Sequence, residues 1–434
     1  MADELQLLIE KLVYGGDGLG HADGNTVFVP YVLPGEEIRA EVTSRKKKLM
    51  WAKPLEILKP DPARVKPVCP HFGVCGGCHY QHAAYEAQVK FKLEIVRETM
   101  ARMGGVTWTG EIKTHTAEPL HYRNRAQWAV RNANPRALGY YLPESNAIVP
   151  IDRCDVLSPT LADTFARLQE ISRDGFLPSE ALEIEAFVDS ADAKIALNVA
   201  FKEFTRPVAE LTKLFQNTVP SLHSLLLLDQ KKNRFELSGP GYLLQEAGGY
   251  QFRVSHLSFF QVNRFLVDDL LQTVIAGEKG DLALDLYAGV GFFTLPLTKT
   301  FQRVISVDAN LSATRNLREN ADTADRSIVS QHMQTEEFLK TATEAPDFVV
   351  LDPPRAGLGQ ASAQKLADLG PKEIAYLSCD PPTLARDLAV LMQTQRKPAD
   401  ATPTAHRYEI QSVDFFDLFP QTYHIEALVR LRRM

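Results

Sequence analysis

Apolar and polar positions alternate along "LLIEKLVYGGDGLGHADGNTVFVPYVLPGEEIRAEVTSRKKKLMWAKPLEIL", with breaks at Gly15-Gly16-Asp17-Gly18, Asp23-Gly24-Asn25 and Pro34-Gly35. A two-residue period interrupted by turn formers predicts short strands, here a small five-stranded β-barrel over residues 1–62. Pro60, Pro62, Pro67 and Pro70 then mark a linker. In "AAYEAQVKFKLEIVRETMARMG" the period lengthens. Val89, Leu93, Val96, Met100 and Met103 recur at four- and three-residue steps, which predicts an amphipathic helix at 82–104 that packs on the C-terminal domain. Strand patterns ("RAQWAVR", "ALEIEAFVD", "KIALNVAF", "SLLLLDQ") then mix with a helix or two, giving a middle α+β domain over 63–250.

Residues 251–434 are the most legible. "DLALDLYAGVGFFTLPLTK" runs from an apolar strand through a glycine turn into a helical pattern. "RVISVD" ends on Asp308, "DFVVLDPPRAG" carries Asp352, and "EIAYLSCDPP" ends on Cys379. Strands alternating with helices imply a parallel, Rossmann-like sheet whose ligand lies at the carboxyl ends of the strands. The turn Gly289-Val-Gly291 lacks the third glycine of a dinucleotide fingerprint, so it suits a nucleoside without a pyrophosphate. Asp308 is placed for ribose hydroxyls, and S-adenosyl-L-methionine is such a ligand.

Composition changes the picture in two places. Net charge is -6, yet Arg39 to Lys66 holds nine basic residues against three acids, and "HYRNRAQWAVRNANPR" sets Arg123, Arg125, Arg131 and Arg136 around Tyr122 and Trp128. Arginines interleaved with aromatics suit phosphate contacts and base stacking; the alternative is a solvated charged face. No apolar run approaches the roughly 18 residues that span a bilayer, and "MADELQLLIEKL" lacks the basic start of a secretory signal. A cytoplasmic monomer without membrane contact is expected, and there clustered cysteines point to metal or catalysis more than to disulfides.

A lone thiol at a strand end beside a methyl donor has a chemical use, although an inert buried cysteine is the common alternative. Carbon 5 of a pyrimidine becomes nucleophilic once a thiolate adds to carbon 6, and a base must later remove the carbon 5 proton. Cys379 supplies the thiol. Glu426, in a strand where Ile425, Ala427, Val429 and Leu431 alternate with polar positions, supplies a carboxylate.

"FFQVN", "DLYAGVGFFTLPL", "LDPPRAG", "SCDPPTLARDL" and "DLFPQTYHIEALV", in this order between residues 259 and 429, resemble the RNA uracil-5-methyltransferases. The front of the chain is similar to that family's RNA-binding TRAM domain. The resemblance implies Cys379 as nucleophile and Glu426 as proton-abstracting base, with Gln261, Tyr287, Asp308, Gln334 and Asp352 around S-adenosylmethionine. Phe292 stands where some members carry a cofactor-contacting Asn, and Asp380 follows the nucleophile where Asn is frequent. An Asp there raises the thiol's pKa by like-charge repulsion.

Cys69, Cys75, Cys78 and Cys154 form three local thiols and one distant one, a pattern open to an iron-sulfur cluster or to zinc. The resemblance to the ribosomal-RNA members implies a closed four-iron, four-sulfur (4Fe-4S) cluster in the middle domain. It also implies carbon 5 methylation of a uridine in 23S ribosomal RNA, as the members that act on transfer RNA generally lack the cluster. A transfer-RNA enzyme of the same mechanism and a catalytically silent RNA-binding protein are the alternatives. Amino-group methylation, which "DPPR" brings to mind, is disfavoured because Arg355 sits where such enzymes carry a stacking aromatic. Thr394–Thr404 reads as a surface loop without a role.

Overall fold

The computed structural model describes residues 3–133, 136–143, 145–394 and 405–434, so the predicted loop lies outside the described residues from 395 on. Strands β1 (Glu4–Leu12), β2 (Gly18–Ala22), β3 (Asn25–Val29), β4 (Glu37–Lys46) and β5 (Leu49–Lys59) close into a barrel in the order β1-β2-β3-β5-β4. The two-residue period does this directly: Leu7 and Ile9 point inward onto Val27, Val29, Ile38 and Met50, while Leu8 and Glu10 point out. The basic stretch on these strands is less positive than its sequence. Arg39 pairs with Glu4 and Glu56, Arg45 with Asp3, Lys53 with Glu41, Lys59 with Glu37, and Arg64 with the buried Glu36. Lys46, Lys47 and Lys48, exposed where β4 turns into β5, have no ion-pair partner among the described residues.

Next come α1 (Tyr85–Gly104) and β6 (Ile112–His115), followed by the middle domain. Its strands are β7 (Arg125–Arg131), β8 (Ala137–Tyr141), β9 (Ile148–Pro150), β10 (Ala181–Val188), β11 (Ile195–Phe201), β12 (Leu222–Asp229) and β13 (Arg234–Ser238). They form one sheet in the order β13-β12-β11-β10-β7-β8-β9, packed by α2 (Pro159–Arg173) and α3 (Val208–Thr218). Here the structure corrects the second nucleic-acid expectation. Trp128 and Tyr122 are fully buried, Arg125 is bound to Glu185 and Arg136 to the Leu177 carbonyl, so the aromatics are core and stack no base. A hairpin of β14 (Tyr242–Ala247) and β15 (Tyr250–Ser255) leads on to the C-terminal part.

There the elements are α4 (Val267–Ile275), β16 (Gly280–Leu286), α5 (Thr294–Leu297), β17 (Phe301–Asp308), α6 (Leu311–Thr323), β18 (Val329–His332), α7 (Thr335–Thr341), β19 (Phe348–Leu351), α8 (Gln360–Leu369), β20 (Glu373–Ser378), α9 (Pro381–Leu391), β21 (Tyr408–Phe416) and β22 (Glu426–Arg433). Eight strands pair in the order β18-β17-β16-β19-β20-β22-β21-β6, parallel from β18 to β20. The chain runs outward from β16 in one direction and from β19 in the other, so a crevice opens between their carboxyl ends. Both faces are covered. Leu282, Leu284 and Leu286 meet Val96, Met100 and Leu388 on one side, and Ala283 meets Leu271 and Leu295 on the other.

Residues 85–115, inside the stretch expected as the middle domain, pack on this sheet. Helix α1 lies along α9, and β6 extends the sheet edge beside β21. A Cβ on Gly104 would stand 2.6 Å from the Ala385 carbonyl oxygen, so only glycine allows this approach. The buried face of α1 is rotated from the predicted stripe: Met103 is exposed, and Phe91, Lys92, Ile95, Val96 and Met100 are buried. Lys92 turns inward because its ammonium donates to Asp417 Oδ1 at 2.7 Å and to the Phe419 carbonyl at 3.0 Å.

Candidate active site

Strand β16 ends in a turn with unusual backbone angles. Tyr287 has φ 65°, Gly289 56° and Gly291 94°, so two of the three left-handed positions fall on glycine. A Cβ on Gly289 would meet nothing within 4 Å, and the turn therefore borders open crevice. Asp285 is the strut beneath it, accepting from Thr294 Oγ1 at 2.6 Å, while Thr294 also meets Ser306 Oγ at 2.9 Å. Burial raises the Asp285 carboxyl to about 7. Asp308, at the end of β17, receives the Gly289 N–H at 2.8 Å and the Asn310 N–H at 2.6 Å, which fixes its carboxylate against the turn.

Gln261 follows β15 and is held by its carbonyl, which accepts from Asn124 Nδ2 at 3.1 Å. Its amide donates to Asp352 Oδ2 at 3.3 Å. Gln261, Tyr287, Gly289 and Asp352 line one narrow pocket of about 40 Å³. Phe292, the departure noted above, lies against Phe252, Phe260 and Phe293 as part of the core. Gln334 stands apart: it is an exposed N-cap of α7, and its neighbour Met333 donates its N–H to the Asp308 carbonyl.

Cys379 directly follows β20. The antiparallel register that pairs Ser378 with Ala427 sets Glu426 beside it. Glu426 is 5% exposed, and its Oε1 has no hydrogen-bond partner among the described residues. Burial, with the Asp352 charge added, raises this carboxyl well above its ordinary value. The Cys379 thiol is pushed up to about 12 by burial first, then by Glu426 and Asp352, against Arg355; Asp380 contributes least. Both Asp380 oxygens are engaged. Oδ1 caps α9 through the Thr383 N–H at 3.0 Å, and Oδ2 accepts from the Tyr14 hydroxyl at 3.0 Å.

The loop between β21 and β22 delivers Glu426, and several distant segments pin it. Besides Lys92, Gln88 exchanges hydrogen bonds with Gln421, Tyr122 donates to the Pro420 carbonyl, and the His79 and Tyr80 N–H groups donate to the Gln421 carbonyl. Next to this loop lies a cavity of about 220 Å³ lined by Cys69, Cys75, Cys78 and Cys154 together with His424. Among the described residues no three His, Cys, Asp or Glu side chains close on a single metal ion. Burial and the mutual proximity of the thiols push Cys78 up to about 12 and Cys154 to about 11. Sequence reasoning missed Tyr14, Lys92 and Gln88. Only Lys92 carried a signal, as a charge beside an apolar stripe.

A parallel sheet with this glycine turn at its crevice, fronted by a five-stranded barrel, has the makeup of an RNA-directed methyltransferase. A family model described as tRNA (uracil-5-)-methyltransferase matches residues 84–434, and one for the TRAM domain matches residues 3–53. An uncharacterized RNA methyltransferase of Aquifex aeolicus is 31% identical, over 98% of this chain and 98% of that protein. A 23S rRNA (uracil(1939)-C(5))-methyltransferase of Alkalilimnicola ehrlichii is also 31% identical, over 99% of this chain and 97% of that protein. The crystal structure of the Pyrococcus abyssi tRNA (uracil-54, C5)-methyltransferase with S-adenosyl-L-homocysteine superposes with a TM-score of 0.76. It is 25% identical and covers 98% of this chain and 99% of that one. The chain belongs to the tRNA (uracil-5-)-methyltransferase family and is an RNA uracil-5-methyltransferase.

Proposed function

We propose that the protein methylates carbon 5 of a uridine in 23S ribosomal RNA, with Cys379 as nucleophile and Glu426 as base. The observation that carries this is the adjacency of a strand-end thiol and a buried carboxyl on neighbouring strands at the crevice. S-adenosylmethionine, when bound, supplies an electrophilic methyl group; Gln261, Tyr287, Asp308 and Asp352 would hold it, with Gln334 at the margin. The target base flips out of its RNA context to reach the crevice. Cys379 Sγ, after passing its proton to solvent, bonds carbon 6 and moves electron density onto carbon 5. Once carbon 5 carries the methyl group, Glu426 as carboxylate takes the carbon 5 proton. The double bond then re-forms and Cys379 leaves as thiolate.

Cys69, Cys75, Cys78 and Cys154 are proposed to hold a four-iron, four-sulfur cluster. Four half-buried thiols around one cavity, too open to grip a single ion, suit a centre of several atoms whose positive charge favours the thiolates. With four protein ligands such a centre is closed, so its role is to clasp residues 69–78 to the middle domain.

The relatives named for 23S rRNA, matching over nearly the full chain, support the ribosomal substrate. The likeness to a tRNA enzyme supports a transfer-RNA substrate as the second reading. Labelled methyl transfer to purified 23S ribosomal RNA and to bulk transfer RNA separates them. Incorporation into 23S RNA alone is expected; incorporation into transfer RNA alone would overturn the ribosomal assignment.

A further inference from the structure

Tyr14 belongs to the barrel, yet its side chain ends at the catalytic loop. It sits in the β1–β2 turn, where Gly15 and Gly16 have φ 110° and 103°. Its hydroxyl donates to Asp380 Oδ2 at 3.0 Å, lies 3.4 Å from the Cys379 carbonyl oxygen, and accepts from Arg355 Nη2 at 3.4 Å. Its ring meets Tyr423 edge-on at 5.7 Å between centroids, and Tyr423 also bonds Arg355. Tyr423 lies three residues before Glu426. One barrel side chain therefore touches the segments that carry both reacting groups. The turn is seated closely: a Cβ on Gly16 would come within 3.5 Å of both His79 and Tyr423. An ion pair between Lys11 and Glu98 of α1 ties down the strand leading into it.

We propose that Tyr14 is a positioning residue for methyl transfer, holding the Cys379 loop and Arg355 in place from the barrel, so that the barrel governs turnover as well as RNA contact. This rests on the reading of Cys379 as nucleophile. The groups acting on that thiol are Glu426, Asp352, Arg355 and Asp380. Arg355 is the cation among them. By standing between Arg355 and Asp380, the Tyr14 hydroxyl keeps the two from pairing directly and leaves the guanidinium near the thiol. Without the hydroxyl, Arg355 turns to Asp380 and the thiolate loses its counter-charge.

The test uses the full-length protein and compares Tyr14→Phe, Asp380→Asn and the double variant. It measures single-turnover methyl transfer at saturating RNA, RNA affinity by filter binding, and adduct formation with 5-fluorouridine RNA as a function of pH. Tyr14→Phe keeps the ring and is expected to slow transfer about 5- to 20-fold, with RNA affinity within about twofold of wild type. The pH profile of adduct formation moves to higher pH. The double variant loses no more than Asp380→Asn alone, a coupling that a general loss of stability would not produce. An unchanged rate and pH profile, or a loss confined to RNA affinity, overturns the proposal. A wild-type protein that forms no adduct instead sinks the reading of Cys379, and the proposal with it.

Discussion

Cys379 and Glu426 both prefer their protonated forms, and the proposed chemistry uses both deprotonated. Partial burial, with Glu426 and Asp352 beside it, pushes the thiol up to about 12, and burial holds the Glu426 carboxyl well above its ordinary value. Groups with raised pKa values gain their basic forms only as pH rises. The kcat/KM of the free enzyme should therefore climb with pH, by up to about tenfold per unit between about pH 6.5 and 9, and a pH–rate series checks this. A rate that falls across that range would contradict it. Glu426→Gln keeps the shape of the side chain but not the base, so Cys379 adds and cannot leave. A protein–RNA adduct on ordinary uridine RNA, visible on a denaturing gel, is the expected result. As candidates these two residues were legible because the proposed reaction demands a thiol and a carboxylate together. Tyr14 was not, since its partner Asp380 is 366 residues away.

Among elements, α1 shows where periodicity stops being informative. A three- and four-residue step fixes that a helix forms, but which face is buried depends on the neighbour. Here the neighbour offers Asp417, 325 residues distant, to an inward lysine. Lys92 and Asp417 are both fully buried, so removing one partner leaves the other charged and unpaired. Lys92→Ala should cost about 3–5 kcal/mol, read as a lower urea midpoint, and should also slow methyl transfer because the loop leading to Glu426 loosens. A loss below about 1 kcal/mol would show that the pair is not what fixes the loop. The strands were easier to read. β11 is buried at every position, β10 keeps Leu182 exposed beside half-buried Glu183 and Glu185, and the barrel strands alternate because one of their faces meets solvent.

For the whole molecule, three folded parts meet at one loop. The barrel arrives through Tyr14, the cysteine segment through His79 and Tyr80, and the middle domain through Tyr122. The order of these parts was readable from composition and period. Their convergence was not, because no local pattern encodes contacts across hundreds of residues. The charge of the basic stretch was likewise overstated by sequence, since its acids lie on neighbouring strands. If the four half-buried thiols hold the proposed cluster, protein purified without oxygen is brown with about four iron atoms per chain. Colourless, zinc-loaded protein would overturn that assignment. The most direct test of the central claim is covalent trapping. RNA carrying 5-fluorouridine blocks the last step, because fluorine cannot leave as a proton does, so the carbon 6–sulfur bond persists. Wild-type protein with 5-fluorouridine 23S RNA and S-adenosylmethionine should give a denaturation-resistant adduct, and Cys379→Ala none. An adduct that survives Cys379→Ala, or its absence from the wild type on every RNA substrate, would contradict the account.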